Sequence, residues 1–328
     1  MGIKRTVFCG MVILAISFIF ISSSSWGVEK YPNRPITLVI PVGPGGGHDL
    51  HSRLMTSVAH QYLGQPMMVE MKPGAGGTIG SAFVARAKPD GYTLLLGGTS
   101  FNSITCQRED TGYTKDDFIA IAKINHLNNI VVVPAEKPWK TLEEFLNYMR
   151  ENPGKLRFGT TSPFGLTGLV NHMLLRKTGI KTAPPTIPYK GVGAQALAML
   201  KGDVDYGVQI HIGLMPWIKS GEFRALATIA EKRLPDLPDV PTAKELGYDV
   251  AVNMWLGVLA PKGTPEYIVE TLSTAFDNIA KDKSFLTMMK KVGLPLYYEN
   301  REAFEKYWSE EYKTFGEFMK ILGWIKKK

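Results

Sequence analysis

Two periodicities alternate along this chain of 328 residues. Short β-rich apolar runs, "ITLVIPV" at 36–42, "MMVEM" at 67–71 and "TLLLGG" at 93–98, are separated by loops and by stretches of helical spacing at 49–62 and 81–88. Such runs predict a mainly parallel sheet covered by helices on both faces. The pattern restarts at "NIVVVPA" (129–135) and continues through "LRFGTT", the strand-like "PPTIPYKG", "VDYGVQI" and "FRALATIA", with helical segments between them. In one of these, 141–154, Thr141 is the expected cap and Glu144 the partner of a capping box. After a Pro-rich irregular stretch at 233–248, "MWLGVLAP" supplies another strand. Two terminal helices follow, one capped by Thr264 with Pro265 in its first position, the other at 301–321 with Phe304, Trp308, Phe315 and Met319 inward.

Two α/β units of similar size, with a last segment too short to stand alone, predict a discontinuous arrangement. Lobe 1 takes 28–127 and 251–328, and lobe 2 takes 128–250. Two crossings near 127 and 251 would form a hinge, with the ligand site in the cleft between the lobes.

The first 27 residues stand apart. A short basic start, an apolar stretch and the small residues "SSSSWG" have the order of a secretory signal peptide. Its removal takes away Lys4 and Arg5 and no acid, so the formal charge falls from +8 to +6. The remaining basic residues are dispersed, which argues against nucleic acid and leaves a mild preference for anionic small ligands. Only Cys106 would survive cleavage, so an exported chain with no internal disulfide is expected, as suits a bacterial periplasm.

The chemistry concentrates in glycine-rich loops that follow strands: "GPGGGHD", "GAGGTIG" and "GTTSPFGLTG". Neither a Walker loop nor a dinucleotide fingerprint fits their spacing, because His48-Asp49 follows Gly47 and Ile79 stands where a third glycine is needed. Glycines at a strand-to-helix junction either make a tight turn or present amides and a helix N-terminus to an anion. Three such loops together favour a site. "HDLH" puts His48 and His51 on one helix face beside Asp49, but no second ligand cluster lies near them in sequence, so no metal is assigned. No nucleophile elbow surrounds Ser162, and no cofactor motif is present.

The phrases "YPNRPITLVIPVGPGGGHD", "LGQPMMVEMKPGAGGTIG", "AKPDGYTLLLG", "NPGKLRFGTT", "IPYKGVGAQALAMLKGDVD" and "WLGVLAPKGTP", in this order, resemble the substrate-binding receptors of tripartite tricarboxylate transporters, the Bug proteins. The resemblance implies a two-lobed periplasmic binding fold of the type II kind, with two mainly parallel sheets. It further implies capture of a mono-, di- or tricarboxylate, delivery to membrane permease subunits, and no catalysis; the protein is expected to be a monomer. Carried over by position, Gly45, Gly46, Gly47, His48 and Asp49, together with Gly76, Gly77 and Thr78, form one wall of the site. Thr99 and Ser100 belong to the same wall. Thr160, Thr161 and Ser162, with Tyr189 and Lys190 of "PYKG", form the opposite wall. This chain departs from the family at His48, where Thr or Ser is usual, at Gly168, where a histidine is expected, and at Gln209 and His211 after "GDVD". His48 or His211 is therefore a candidate for direct contact with a ligand carboxylate. Two alternatives accompany this reading: a receptor that presents its ligand to a sensor, and a His/Asp metal-dependent hydrolase.

Overall fold

The structure, a computed structural model, describes residues 31–108, 111–294 and 296–325. The expected signal peptide lies outside the described residues. Among those described, no helix is long and apolar enough to cross a membrane.

Nine strands form a single sheet in the order β2-β1-β3-β9-β4-β7-β5-β6, with β8 also on β4. The strands are β1 Ile36–Ile40, β2 Met67–Met71, β3 Thr93–Gly98, β4 Phe118–Pro134, β5 Phe158–Thr160, β6 Thr186–Pro188, β7 Tyr206–Ile210, β8 Phe223–Ile229 and β9 Asn253–Pro261. The expectation of two mainly parallel sheets is corrected. β2, β1 and β3 are parallel, as are β6, β5 and β7, but β9 and β4 join the two groups through antiparallel pairs. The cause is β4, a continuous strand of 17 residues. Its first part, to Asn128, pairs with β9, and from Asn129 onward it pairs with β7 and β8. Bulges where β4 meets β9 and β8 interrupt the register and add local twist.

The principal helices are α1 Gly47–Leu63, α2 Thr78–Ala85, α3 Leu142–Glu151, α4 Leu166–Lys177, α5 Val192–Leu200, α6 Glu266–Ile279, α7 Lys283–Lys291 and α8 Arg301–Ile321. The terminal segment thus holds three helices rather than two. The short, lysine-rich α7 is set by its cap Asp282, which accepts the Phe285 N–H at 2.7 Å and the Tyr62 hydroxyl at 2.7 Å. In α6 the cap is Pro265 rather than Thr264, whose hydroxyl turns back to the Pro261 carbonyl.

At α3 the cap is Thr141 as expected, accepting the Glu144 N–H at 3.2 Å, but Glu144 reaches back one residue further, to the Lys140 N–H at 2.7 Å. Thr141→Ala should cost about 1 kcal/mol, read from the midpoint of denaturant unfolding. An unchanged midpoint would contradict this assignment.

The core falls into groups along the sheet. One joins α1, α6 and α7 to β1, β3 and β9; another joins α3 and α4 to β7, β8 and the second part of β4. Helix α8 serves more than one of them. Phe304 and Trp308 pack with Val39, Leu95 and Trp255, whereas Phe315 and Met319 pack with Val131, Leu146 and Leu166. A helix of 21 residues is about 31 Å long, long enough to run from one half of the sheet to the other.

Candidate functional site

Strand direction defines the site. β3 is parallel to β4, because β9 lies antiparallel between them, so β1, β2 and β3 run toward the middle of β4 from one half. β7 is antiparallel to β4 and parallel to β5, so β5, β6 and β7 run toward the same point from the other half. There Asn128 stands opposite Asn253, and Asn129 opposite Ile210. Six carboxyl ends, and the loops after them, converge on the midpoint of one strand. Ligands of open α/β sheets bind beyond such ends.

In the first wall, Gly46 caps α1 and Gly45 has φ +84°, a left-handed conformation that suits glycine. Asp49 holds this turn, accepting the Gly45 N–H at 2.9 Å on one oxygen and Arg53 Nε at 2.6 Å on the other. The Gly45 N–H is the main cause that keeps the Asp49 carboxyl below its usual range, with Arg53 adding to it. Leu50 N–H bonds to the Gly46 carbonyl, so the amides of Gly47, His48 and Asp49 form the first turn of the helix.

His48 is turned inward. Its ring lies 5.3 Å from that of Phe101, and its Nε2 is buried without a partner. Burial, helped by nearby His51, lowers its pKa to about 4 against the opposing pull of the Gly97 carbonyl, so the ring is neutral at neutral pH. His51 is fully buried and its tautomer follows from its neighbours. Asn125 Oδ1 accepts the backbone N–H groups of His126 and Tyr297, so Asn125 Nδ2 donates to His51 Nε2 at 2.8 Å. His51 Nδ1 then donates to the Gly47 carbonyl at 2.6 Å. Both ring nitrogens are therefore engaged in fixing the start of α1 to β4. Among the described residues, no group of three or more His, Cys, Asp or Glu is arranged to hold a metal.

The second glycine loop turns through four consecutive positive φ values, from Gly74 to Gly77, and Thr78 closes it with a 2.9 Å hydrogen bond to the Ala75 carbonyl. A Cβ on Gly77 would lie 2.5 Å from the Phe101 ring, and one on Gly98 would lie 2.9 Å from His48 Nε2 and 3.1 Å from Phe101. Phe101 is thus the buried block on which the loops after β1, β2 and β3 rest. It is not among the residues singled out from the sequence.

Thr99 is also structural. It is fully buried, accepts the Trp255 N–H at 2.9 Å and donates to the Asn253 carbonyl at 3.3 Å, joining β3 to β9. Ser100 is partly exposed and opens a π-helical segment, Ser100–Thr105, a form often found at functional sites. Glu311 of α8 anchors this segment from below. One of its oxygens accepts Ser103 Oγ at 2.6 Å and Trp255 Nε1 at 2.7 Å, and the other accepts the Tyr307 hydroxyl at 3.2 Å. Burial pushes the Glu311 carboxyl up to about 7, against those hydrogen bonds and the nearby Lys123.

In the second wall, Thr160 is buried and its hydroxyl meets that of Thr167 at 2.7 Å, while Thr161 and Ser162 are partly exposed. The Ser162 carbonyl receives the N–H groups of Gly165 and Gly168, drawing the loop tightly over the start of α4. Thr161 accepts a hydrogen bond from Gln209 Nε2 at 3.1 Å. Tyr189 N–H bonds to the Thr160 carbonyl, which sets the "PYKG" loop beside this one, with Tyr189 partly buried and Lys190 exposed. His211 is buried at the midpoint itself. Its Nδ1 donates to the Asn128 carbonyl at 3.0 Å, and its ring lines a cavity of about 10 Å³ with His126, Asp236 and Tyr297. Burial lowers its pKa.

The structure therefore gathers the predicted residues at the strand ends, but with divided duties. Gly45, Gly46, Gly47, Gly76, Ser100, Thr161, Ser162, Tyr189 and Lys190 keep backbone or side chain at the loop surfaces, whereas Gly77 is buried against Phe101. Asp49, Thr78, Thr99 and Thr160 are occupied in holding those loops, and His48 and His211 are buried beneath them. A groove of about 870 Å³ lies elsewhere, between α6 and α8. Its lining sets Glu266, Glu270, Asp277, Glu302 and Glu305 against Arg301 and Lys306, an acidic excess that does not suit an anion.

The family described as "Tripartite tricarboxylate transporter family receptor" (TctC) matches residues 52–324. A Cupriavidus necator protein from the gbd 5' region is 33% identical over 304 residues, 91% of this chain and 90% of the relative. Among solved structures, the periplasmic binding protein BugD is 31% identical with a TM-score of 0.74, covering 90% of this chain and all of that one. MatC from Rhodopseudomonas palustris, with bound malate, is 28% identical with a TM-score of 0.72, covering 88% of this chain and 99% of that one. Rpa4515 of R. palustris, with adipate, is 25% identical with a TM-score of 0.74, covering 90% of this chain and 99% of that one.

Proposed function

The chain belongs to the tripartite tricarboxylate transporter receptor family of periplasmic solute-binding proteins, and from that premise we propose that it captures a small organic carboxylate between two lobes and delivers it to a membrane permease. As a receptor of this family it binds solute and does not catalyse. The observation that carries the proposal is the convergence of six strand ends on the midpoint of β4, with glycine loops on one side and a hydroxyl-bearing loop on the other. Helix starts and glycine amides offer N–H donors and a partial positive charge, which an ionised carboxylate accepts without a dedicated cation. Lobe 1 contributes the loops at 45–49 and 74–78 and Ser100; lobe 2 contributes 160–162 and 189–190. His48 forms the floor beneath the first loop as a neutral ring, and His211 braces the junction between the lobes. The malate and adipate held by relatives support a dicarboxylate of four to six carbons as the first choice.

The test is a thermal-shift screen of mono-, di- and tricarboxylates. A bound carboxylate at 100 times its dissociation constant stabilises by about 2.7 kcal/mol, and the midpoint should rise by several degrees. A folded protein that responds to no carboxylate would overturn the proposal.

A further inference from the structure

Behind the second wall lie two buried glutamines whose amide orientations are fixed by the backbone. Gln195 Nε2 donates to the Gly159 carbonyl at 2.9 Å, so Gln195 Oε1 must face the other way. Gln209 Oε1 accepts the Ile210 N–H at 2.9 Å, so its Nε2 is the end that carries the two hydrogens. One of these goes to Gln195 Oε1 at 2.9 Å and the other to Thr161 Oγ1 at 3.1 Å. Space for the pair is provided by Gly207, where a Cβ would lie 2.5 Å from Gln195 Nε2. Both glutamines are almost wholly buried, at 0% and 3% exposure, whereas Thr161 is partly exposed on the loop in front of them.

A hydroxyl has one proton and two lone pairs, and a carboxylate only accepts. With one lone pair of Thr161 filled from behind by a donor that has no acceptor to offer, its proton is left to point forward. We infer that Gln209, oriented by Gln195, is a positioning residue that presets the Thr161 hydroxyl as a donor to the bound carboxylate. This rests on the reading of 160–162 as a wall of the cleft. It makes the site selective for groups that accept at this point, and it ties affinity to a residue set back from the cleft.

Isothermal titration with malate and adipate tests the inference, using Thr161→Val, Thr161→Ser, Gln209→Met, Gln209→Glu and the double variant Thr161→Val/Gln209→Met. A hydrogen bond to a charged group is at stake, so Thr161→Val should weaken the better-bound probe roughly tenfold or more, while Thr161→Ser retains affinity. Gln209→Met should weaken it comparably, and in the double variant should add nothing to Thr161→Val. Gln209→Glu keeps an acceptor for Ile210 but turns the Thr161 proton inward, so it should weaken binding at least as much. A merely structural Gln209 would produce the same loss with or without the Thr161 hydroxyl. If Thr161→Val weakens binding and Gln209→Met does not, or if their effects multiply, the positioning role is overturned and the wall stands. If Thr161→Val leaves both probes bound as tightly as before, this wall of the cleft is itself wrong.

Discussion

Gly168→Ala is expected to lower stability by about 3 kcal/mol or more, the largest loss among single-methyl additions to the second wall. A Cβ at this position would lie 1.9 Å from the Pro163 carbonyl oxygen and 2.9 Å from that of Ser162. Both are backbone atoms of the loop that Gly168 itself fixes through its N–H to Ser162 O at 3.1 Å. No side-chain rotation relieves such a contact, so the loop must lift off α4 and carry Thr161 and Ser162 with it. Carboxylate affinity should fall together with the denaturation midpoint. Gly193→Ala in α5, where nothing lies within 4 Å, is the matched control and should be neutral or slightly stabilising. Equal midpoints for the two variants would show that the loop is not held as described.

The second large effect is at Glu311. Glu311→Ala strips the partner from Ser103 Oγ and Trp255 Nε1 and leaves buried Lys123 facing Glu299 with less negative charge nearby. Leaving the buried donors Ser103 Oγ and Trp255 Nε1 without an acceptor costs about 1–3 kcal/mol each. Glu311→Gln keeps an acceptor for Ser103 and Trp255 and removes the charge, which isolates a pH effect. The folded carboxyl sits near 7, above its ordinary 4.5, so the native state holds a proton that the unfolded chain has released. The stability contributed by that proton is fully present below about 4.5 and is lost as pH rises to about 7. His48 and His126, both lowered to about 4, act in the opposite sense, because the unfolded chain binds their protons first as pH falls below 6.5. The informative quantity is therefore wild-type stability minus that of Glu311→Gln, which should decline from pH 4.5 to 7 and then flatten. A flat difference across that window would remove the buried, protonated glutamic acid from the account.

Much of this was legible in the sequence, and the failures have physical causes. Strand, glycine loop and helix N-terminus are neighbours in the chain, so the loops at 45–49 and 74–78 announce themselves. The helix at about 301–321 is legible because Phe304, Trp308, Phe315 and Met319 keep one face, although the buried Glu311 shares it. The first part of β4 is not legible because "FIAIAKINHLN" carries Lys123, Asn125 and Asn128, which look like surface positions. In the fold they are buried against partners far away in sequence: Glu299 for Lys123, and His51 and Tyr297 for Asn125. The single sheet followed from that one strand. In the site, a polar residue beside a glycine gives no sign of whether it faces a ligand or its own loop. Asp49, Thr99 and Thr160 are each expected from sequence to face a ligand, and each side chain is engaged in holding its own loop or strand. Gly168 was visible as a departure from the family, and its reason is the Pro163 carbonyl pressed against it.

Helix α8 has a mechanical consequence. β4 and β9, side by side, link the two halves of the sheet. α8 spans both halves as a further connection, packed at Phe304 and Trp308 on one and at Phe315 and Met319 on the other. Any movement of one half against the other therefore has to bend this helix or slide it over one of its two packing patches, which ties the proposed closure to the packing of α8.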